Sequence, residues 1–219
     1  MLSAIKPKPY LEHISSSEEV TDLASIYEPS INLALWQRSL TAPVLSDVKQ
    51  LIKHSRTFAG RGVMKPEEIS SWLQNTLRTD EYSAFEADVV HLAEVFSDLF
   101  DLTHVGVRLE LLDKTMCPRF HVDKLLARLI TTYDGATTQW LTEDNVNRDK
   151  LGEGAMGLPD NESGIVLNQA EIQTANIGDV LIMKGEGWIN SDVRGLVHRS
   201  PEASVDNKRL LLSFDFAEA

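Results

Sequence analysis

His121-Val122-Asp123 sets an imidazole and a carboxylate two positions apart. On an extended strand side chains alternate in direction, so both groups share one face and can reach one ion. A second histidine, His198, stands far downstream, after the apolar run Val180-Leu-Ile-Met, and Arg209 follows on what reads as the last strand. Two imidazoles and one carboxylate are a ligand set that leaves half of an octahedral Fe(II) shell open for a cosubstrate and dioxygen. The same three groups also suit Zn(II). The blander alternative is that each histidine is satisfied by backbone carbonyls within a strand, and that Arg209 pairs with Asp206 or Asp215.

Two further residues bear on this cluster. Arg128 alternates with apolar neighbours, so it points either inward, as a second anchor for a carboxylate, or out to solvent. Thr131 and Tyr133 fall on the opposite face of that strand, where they either hydrogen-bond a cosubstrate or pack. Trp140 and Trp188 belong either to a substrate mouth or to the core. Cys117, just before the histidine, reads as a structural thiol, since a nucleophile would need a depressed pKa.

The elements that must position these groups divide near Asp101. Before it the pattern is helical. Val48, Leu51 and Ile52 share a helix face; Pro66 with Glu67 and Glu68 suits a helix start; and Phe85, Val89, Leu92, Phe96 and Leu99 form the longest helical stripe, which should cover a sheet. After it the period is two. Val105, Val107, Leu109 and Leu111 alternate with Gly106, Arg108 and Glu110. Further strands are predicted at 119–122, 126–133, 138–141, 165–168, 171–175, 179–184, 196–198 and 209–216. Asp134-Gly135 reads as a tight hairpin turn, and Ile177-Gly178-Asp179 as a second turn. The polar stretch 142–164 is too long for an ordinary connector and reads as a flexible loop near the site. The expected fold class is α+β: a β-barrel over residues 102–219, with residues 1–101 as a helical region packed on it.

Composition removes several classes of function. The 219 residues suffice for one large domain or two small ones. Lys and Arg total 21 against 33 acidic residues, a formal charge of −12, which argues against non-specific nucleic-acid binding. No apolar run reaches membrane-spanning length, and Met1–Tyr10 has no signal-peptide core. A single cysteine excludes an internal disulfide and a thiolate cluster and fits the cytoplasm. Gly152-Glu-Gly-Ala-Met-Gly157 matches GxGxxG in letters, but Leu158-Pro159 follows where a helix should, so no dinucleotide site is read there.

Taken together, His121-Val-Asp123, Gly178-Asp-Val-Leu-Ile-Met-Lys-Gly, Val197-His-Arg-Ser-Pro201 and Arg209-Leu-Leu-Leu-Ser-Phe make residues 104–216 resemble the Fe(II)- and 2-oxoglutarate-dependent oxygenases. That superfamily has a double-stranded β-helix, or jelly-roll, fold. The resemblance implies a metal held by His121, Asp123 and His198, 2-oxoglutarate as a small-molecule cosubstrate with its far carboxylate on Arg209, and an unidentified substrate. A more local likeness runs through Cys117-Pro-Arg-Phe-His-Val-Asp, Arg128-Leu-Ile-Thr-Thr-Tyr-Asp-Gly and His198-Arg-Ser-Pro, to a bacterial family known as domain-of-unknown-function family 1826, whose name assigns no activity. The competing expectation is a cupin-like, non-catalytic protein that holds zinc with the same triad. A third is a metal-free interaction module.

Overall fold

The computed structural model describes residues 13–189, 192 and 194–217; the N-terminal stretch Met1–Tyr10 lies outside them. The strands are β1 Ile14–Ser17, β2 Leu33–Trp36, β3 Phe58–Met64, β4 Val105–Leu112, β5 Ala127–Asp134, β6 Gln139–Trp140, β7 Gln173–Thr174, β8 Val180–Lys184, β9 His198–Arg199 and β10 Arg209–Phe216. The α-helices are α1 Ala42–His54, α2 Ile69–Leu77, α3 Ser83–Phe100 and the single turn α4 Asp160–Ser163. Seven strands form a major sheet in the order β1-β2-β8-β5-β10-β4-β3, and three form a minor sheet, β7-β6-β9. Among the described strands only β1 and β2 pair in parallel.

Alternation along the major strands produces two apolar faces. Leu109, Leu129, Ile182, Leu210, Leu212 and Phe214 face outward and are covered by Phe85, Val89, Leu92 and Phe96 of α3, whose spacing keeps them on one side of the helix. Leu33, Leu35, Ile130, Leu181, Met183 and Leu211 face inward and meet Trp140 of the minor sheet. This inner layer is the jelly-roll interior, so the fold is α+β as expected. A third cluster, Phe120, Leu141, Val146, Ile165, Val166 and Val197, joins the minor sheet to the 142–166 segment.

Several expected boundaries move. The first hundred residues supply α1–α3, but they also supply β1, β2 and β3, three strands of the major sheet. Leu33–Trp36 is buried on both faces at its start and shows no alternation, and Phe58–Met64 is interrupted by Gly60 and Gly62, so neither carries a period of two. The expected strands at 119–122 and 165–168 shrink to the isolated bridges His121↔His198 and Val146↔Val166. Gly135 does turn the chain, with φ +86°, but it passes the chain from β5 to β6 in the other sheet and closes no hairpin. A Cβ there would stand 2.2 Å from the Lys208 carbonyl oxygen, so glycine is required twice over. The 142–164 stretch is built of short helical turns tied down by hydrogen bonds, among them Asn145 Nδ2 to the carbonyl of Asn168 just beyond it.

Candidate metal centre

The two histidines are positioned by each other. His121 donates its backbone N–H to the His198 carbonyl at 3.0 Å and receives the His198 N–H at 2.9 Å. This reciprocal pair holds the rings with centroids 4.6 Å apart. Each ring is then oriented by its own chain. His121 Nδ1 donates to the Arg119 carbonyl at 2.9 Å, and His198 Nδ1 donates to the Leu196 carbonyl at 3.1 Å. A carbonyl can only accept, so in the neutral rings the proton sits on Nδ1 and Nε2 keeps a free lone pair. Both Nε2 atoms face Asp123: His121 lies 3.5 Å from Oδ1 and His198 3.5 Å from Oδ2. The ligand atoms of the three residues all fall within 4.8 Å of one another, the spacing of a shared divalent ion.

Asp123 is held from behind. The turn at Gly185-Glu-Gly187 packs under residues 123–126, with Glu186 N–H donating to the Asp123 carbonyl at 2.8 Å. A Cβ on Gly185 would lie 2.1 Å from the Leu125 carbonyl oxygen, so this close approach needs glycine. Arg128, on the inward face of β5, donates from Nη1 to Asp123 Oδ2 at 2.7 Å and grips Asp215 through Nε and Nη2 at 2.7 and 2.8 Å. Burial opposes ionisation of Asp123, but the hydrogen bond from a protonated His121 and the positive charge that His198 and Arg128 can carry hold its pKa at about 2. Asp123 also raises the pKa of His121 by hydrogen bonding to its ring. Full burial pushes His198 down to about 4, so it is neutral at neutral pH and ready to ligate.

Arg209 begins β10 and is among the largest fully buried side chains. Its acceptors are hydroxyls: Thr132 Oγ1 at 3.0 Å and Thr138 Oγ1 at 2.8 Å, both from Nη2. No carboxylate among the described residues pairs with it, and burial lowers its pKa to about 10. Thr138 also lines the cavity beside His121, Asp123 and His198, so the guanidinium and the cluster share a wall. That cavity is small, about 60 Å³, and is bounded by Cys117, Arg108, Ile130, Leu211 and Ser213 as well as the triad.

Of the residues singled out in the sequence, His121, Asp123, His198 and Arg128 are brought together, with Arg209 one side chain away. Tyr133 is not brought to the cluster. It lies on the outward face of β5, fully buried against Phe85, and donates to Asp88 Oδ2 at 2.6 Å, which Arg38 also grips. Trp140 is core, and Trp188 joins Tyr27 and Phe100 in an aromatic cluster. A cosubstrate-binding Tyr133 would change ligand affinity when altered. This placement instead makes Tyr133→Phe cost about 1.5–3 kcal/mol of stability, the worth of a hydrogen bond to a charged group, and leaves metal affinity unchanged. Thermal unfolding and metal titration of the same variant check it.

Sequence reasoning missed Asp160. From α4, inside the presumed flexible stretch, its carboxylate accepts from the Phe120 N–H at 2.9 Å and from Arg199 Nη1 at 3.1 Å. It thereby ties together the residue before one histidine and the residue after the other, and Arg199 stacks over the Phe120 ring at 4.3 Å. No local pattern marks an aspartate in a polar stretch as a clasp of this kind.

The sequence matches the family model described as "Protein of unknown function (DUF1826)" over residues 17–215. The chain belongs to this family. No curated protein matches this DUF1826 chain at the sequence level. Among solved structures, a full-length Neurospora crassa protein in complex with alpha-KG is similar at a TM-score of 0.51 and 9% identity, over 92% of this chain and 82% of that one. A Pseudomonas putida prolyl-4-hydroxylase gives 0.47 and 9% over 91% and 98%. The Fe(II)/(alpha)ketoglutarate-dependent dioxygenase TqaL gives 0.48 and 12% over 90% and 85%. At such identities the likeness is one of fold, and the Neurospora crassa match places the DUF1826 chain in the jelly-roll class. No helix of the described residues is long and apolar enough to cross a membrane.

Proposed function

We propose that this DUF1826 protein is an Fe(II)- and 2-oxoglutarate-dependent oxygenase, with His121, Asp123 and His198 as metal ligands and Arg209 as the anchor for the cosubstrate's far carboxylate. The observation that carries the reading is Arg209. A fully buried guanidinium without a carboxylate partner is costly, and arginine is almost never fully buried unpaired. A dicarboxylate arriving beside the metal ligands supplies the missing anion, and the planar fork suits bidentate pairing. A non-catalytic zinc protein would use the same triad, but it would leave the buried charge unexplained.

The donor set fits the metal. Both Nε2 atoms are free, and Asp123 stays ionised under all ordinary conditions. The metal and 2-oxoglutarate would supply the oxidising chemistry, in which dioxygen is consumed, 2-oxoglutarate becomes succinate and CO₂, and a substrate C–H bond is oxidised. The chain's own residues orient and shield. The Arg119 and Leu196 carbonyls fix the rings, Arg128 fixes the carboxylate, and Ile130 and Leu211 present an apolar wall that limits water at the cluster. The exposed, unpaired Cys117 agrees with a reducing compartment, and a cytoplasmic location belongs to the same proposal.

The test is an anaerobic titration of the Fe(II)-loaded protein with 2-oxoglutarate, followed by visible absorption and calorimetry. A charge-transfer band with saturable binding is the expected result. Bound Fe(II) without a band and without heat would remove the oxygenase reading and leave the metal-binding one.

A further inference from the structure

The inner face of the major sheet carries a row of arginines that leads from the metal cluster to the sheet edge at β3. Arg61 of β3 stands directly across from Arg108 of β4, and Arg108 across from Ser213 of β10. One row further along, Asp215 of β10 stands across from both Gly106 and Arg128. Like charges directly opposite each other destabilise a sheet, so an Arg–Arg pair there calls for a reason.

Glu110 offsets part of the repulsion. It is buried, and its Oε1 meets Arg61 Nη2 at 2.8 Å and Arg108 Nε at 3.1 Å. One carboxylate thus serves two guanidinium groups. Arg108 approaches it through Nε, and its two terminal nitrogens make no hydrogen bond among the described residues. Arg61 is more than half exposed, at 61% of its side chain. Arg128, by contrast, is saturated by Asp123 and Asp215. The three arginines therefore face two carboxylates besides the metal ligand, in a protein whose net charge is −12.

These arginines line a groove of about 470 Å³ together with Val63, Gly106 and Asp215. Arg108 and Arg128 also wall the metal cavity, so the groove opens beside the cluster. The cavity beside the triad is only about 60 Å³, and the proposed metal and cosubstrate draw on that space first, so the body of a substrate lies outside it. The groove adjoins it, and the donors it offers are the terminal nitrogens of Arg108 and the solvent-exposed guanidinium of Arg61.

We infer that the substrate carries an anionic group, a carboxylate or a phosphate, which docks on Arg108 and Arg61 while the carbon to be oxidised reaches the metal cluster. The inference rests on the oxygenase reading for the word substrate; the anion site itself rests on the arginines alone. Guanidinium forks bind both kinds of oxyanion, and two of them converging on one groove favour a group that can accept several hydrogen bonds.

The probes are inorganic phosphate and benzoate, with benzyl alcohol as the neutral control, titrated calorimetrically into the full-length protein at low and moderate salt. At least one anion should bind, more weakly as salt rises, and benzyl alcohol should not. Arg108→Gln and Arg61→Gln should each weaken that anion by roughly tenfold, as expected for loss of a charge-assisted pair, and Arg209→Gln should leave it in place. Arg108→Lys keeps a cation beside Glu110 should the glutamine variant fail to fold, and Arg61 stands exposed on an edge strand where substitution is tolerated. Phosphate affinity exceeding benzoate affinity would assign the phosphate class, and the reverse the carboxylate class. Anion binding unchanged by Arg61→Gln and Arg108→Gln, lost only in Arg209→Gln, or absent altogether would overturn the proposal. Mn(II) titration of the same proteins separates the two readings: a wild type that binds anions but no metal loses the oxygenase assignment and keeps the anion site.

Discussion

Asp123→Asn should weaken Mn(II) and Fe(II) binding by more than about a hundredfold while the far-ultraviolet circular dichroism stays that of the wild type. Changing a group that merely orients a ligand costs about 10–100-fold in metal affinity, and Asp123 is the proposed anionic ligand itself. Asparagine keeps the shape and one oxygen, so Arg128 keeps its bidentate hold on Asp215 and the Gly185-Glu-Gly187 turn keeps its backbone bonds. What is lost is the charge between two Nε2 atoms. His198→Ala should match it, since it removes the most buried of the three donors. The wild-type affinity should also fall with pH in a particular direction. A proton on His121 Nε2 occupies the lone pair a metal needs, and the neighbouring Asp123 holds that proton more tightly than a free imidazole would. Affinity is therefore full above the raised His121 pKa and declines as pH falls through it, whereas His198, at about 4, adds competition only in acid. Anaerobic metal titrations from mildly acidic to mildly alkaline pH check both claims. Equal affinity in Asp123→Asn and wild type would mean that the triad holds no metal.

The cluster was legible because its information is local. Two residues on a period of two put His121 and Asp123 on one face, and the second histidine followed a strand that the apolar run 180–183 announces. Helix α3 was legible for the same reason, since its stripe repeats over the whole helix. The pieces that escaped depend on partners remote in sequence. β1, with three serines, becomes a strand only because β2 offers it a parallel edge, and β2 because β8 pairs with it. Asp160 acquires its role from Phe120 and Arg199, and Thr132 and Thr138 acquire theirs from Arg209, which reaches the two hydroxyls after a bulge between Leu210 and Leu211 breaks the register of β10 with β5. Tyr133 is instructive in the opposite sense. Its type and position suited a ligand, and the face it lies on was correctly opposite to Arg128, yet its partner turned out to be Asp88 in the helical layer.

Arg209→Ala should leave the metal bound and weaken 2-oxoglutarate by tenfold to more than a hundredfold, because a hydrogen-bonded ion pair in a site of this burial is worth about 1.5–3 kcal/mol. Arg209→Lys should recover part of the loss: it restores a charge but not the fork, which now addresses Thr132 and Thr138 chiefly with one nitrogen and has further donors for an incoming carboxylate. A purely structural arginine could also disturb binding when removed, so a second readout is needed, and burial provides it. Desolvation already lowers the Arg209 pKa to about 10, which marks the charge as unfavourable in the ligand-free protein. Replacing a buried charge that lacks a counter-ion by an apolar side chain of similar length removes its desolvation cost, which offsets the lost bonds to Thr132 and Thr138. Arg209→Met should therefore melt at or above the wild-type temperature without ligand, and the rise in melting temperature that 2-oxoglutarate gives the Mn(II)-loaded wild type should vanish in the variant. That pairing is the signature of a residue kept for its ligand at a cost to the fold. A lower melting temperature in Arg209→Met, combined with an undiminished response to 2-oxoglutarate, would assign the guanidinium to the scaffold through its two threonines and leave the cosubstrate without an anchor.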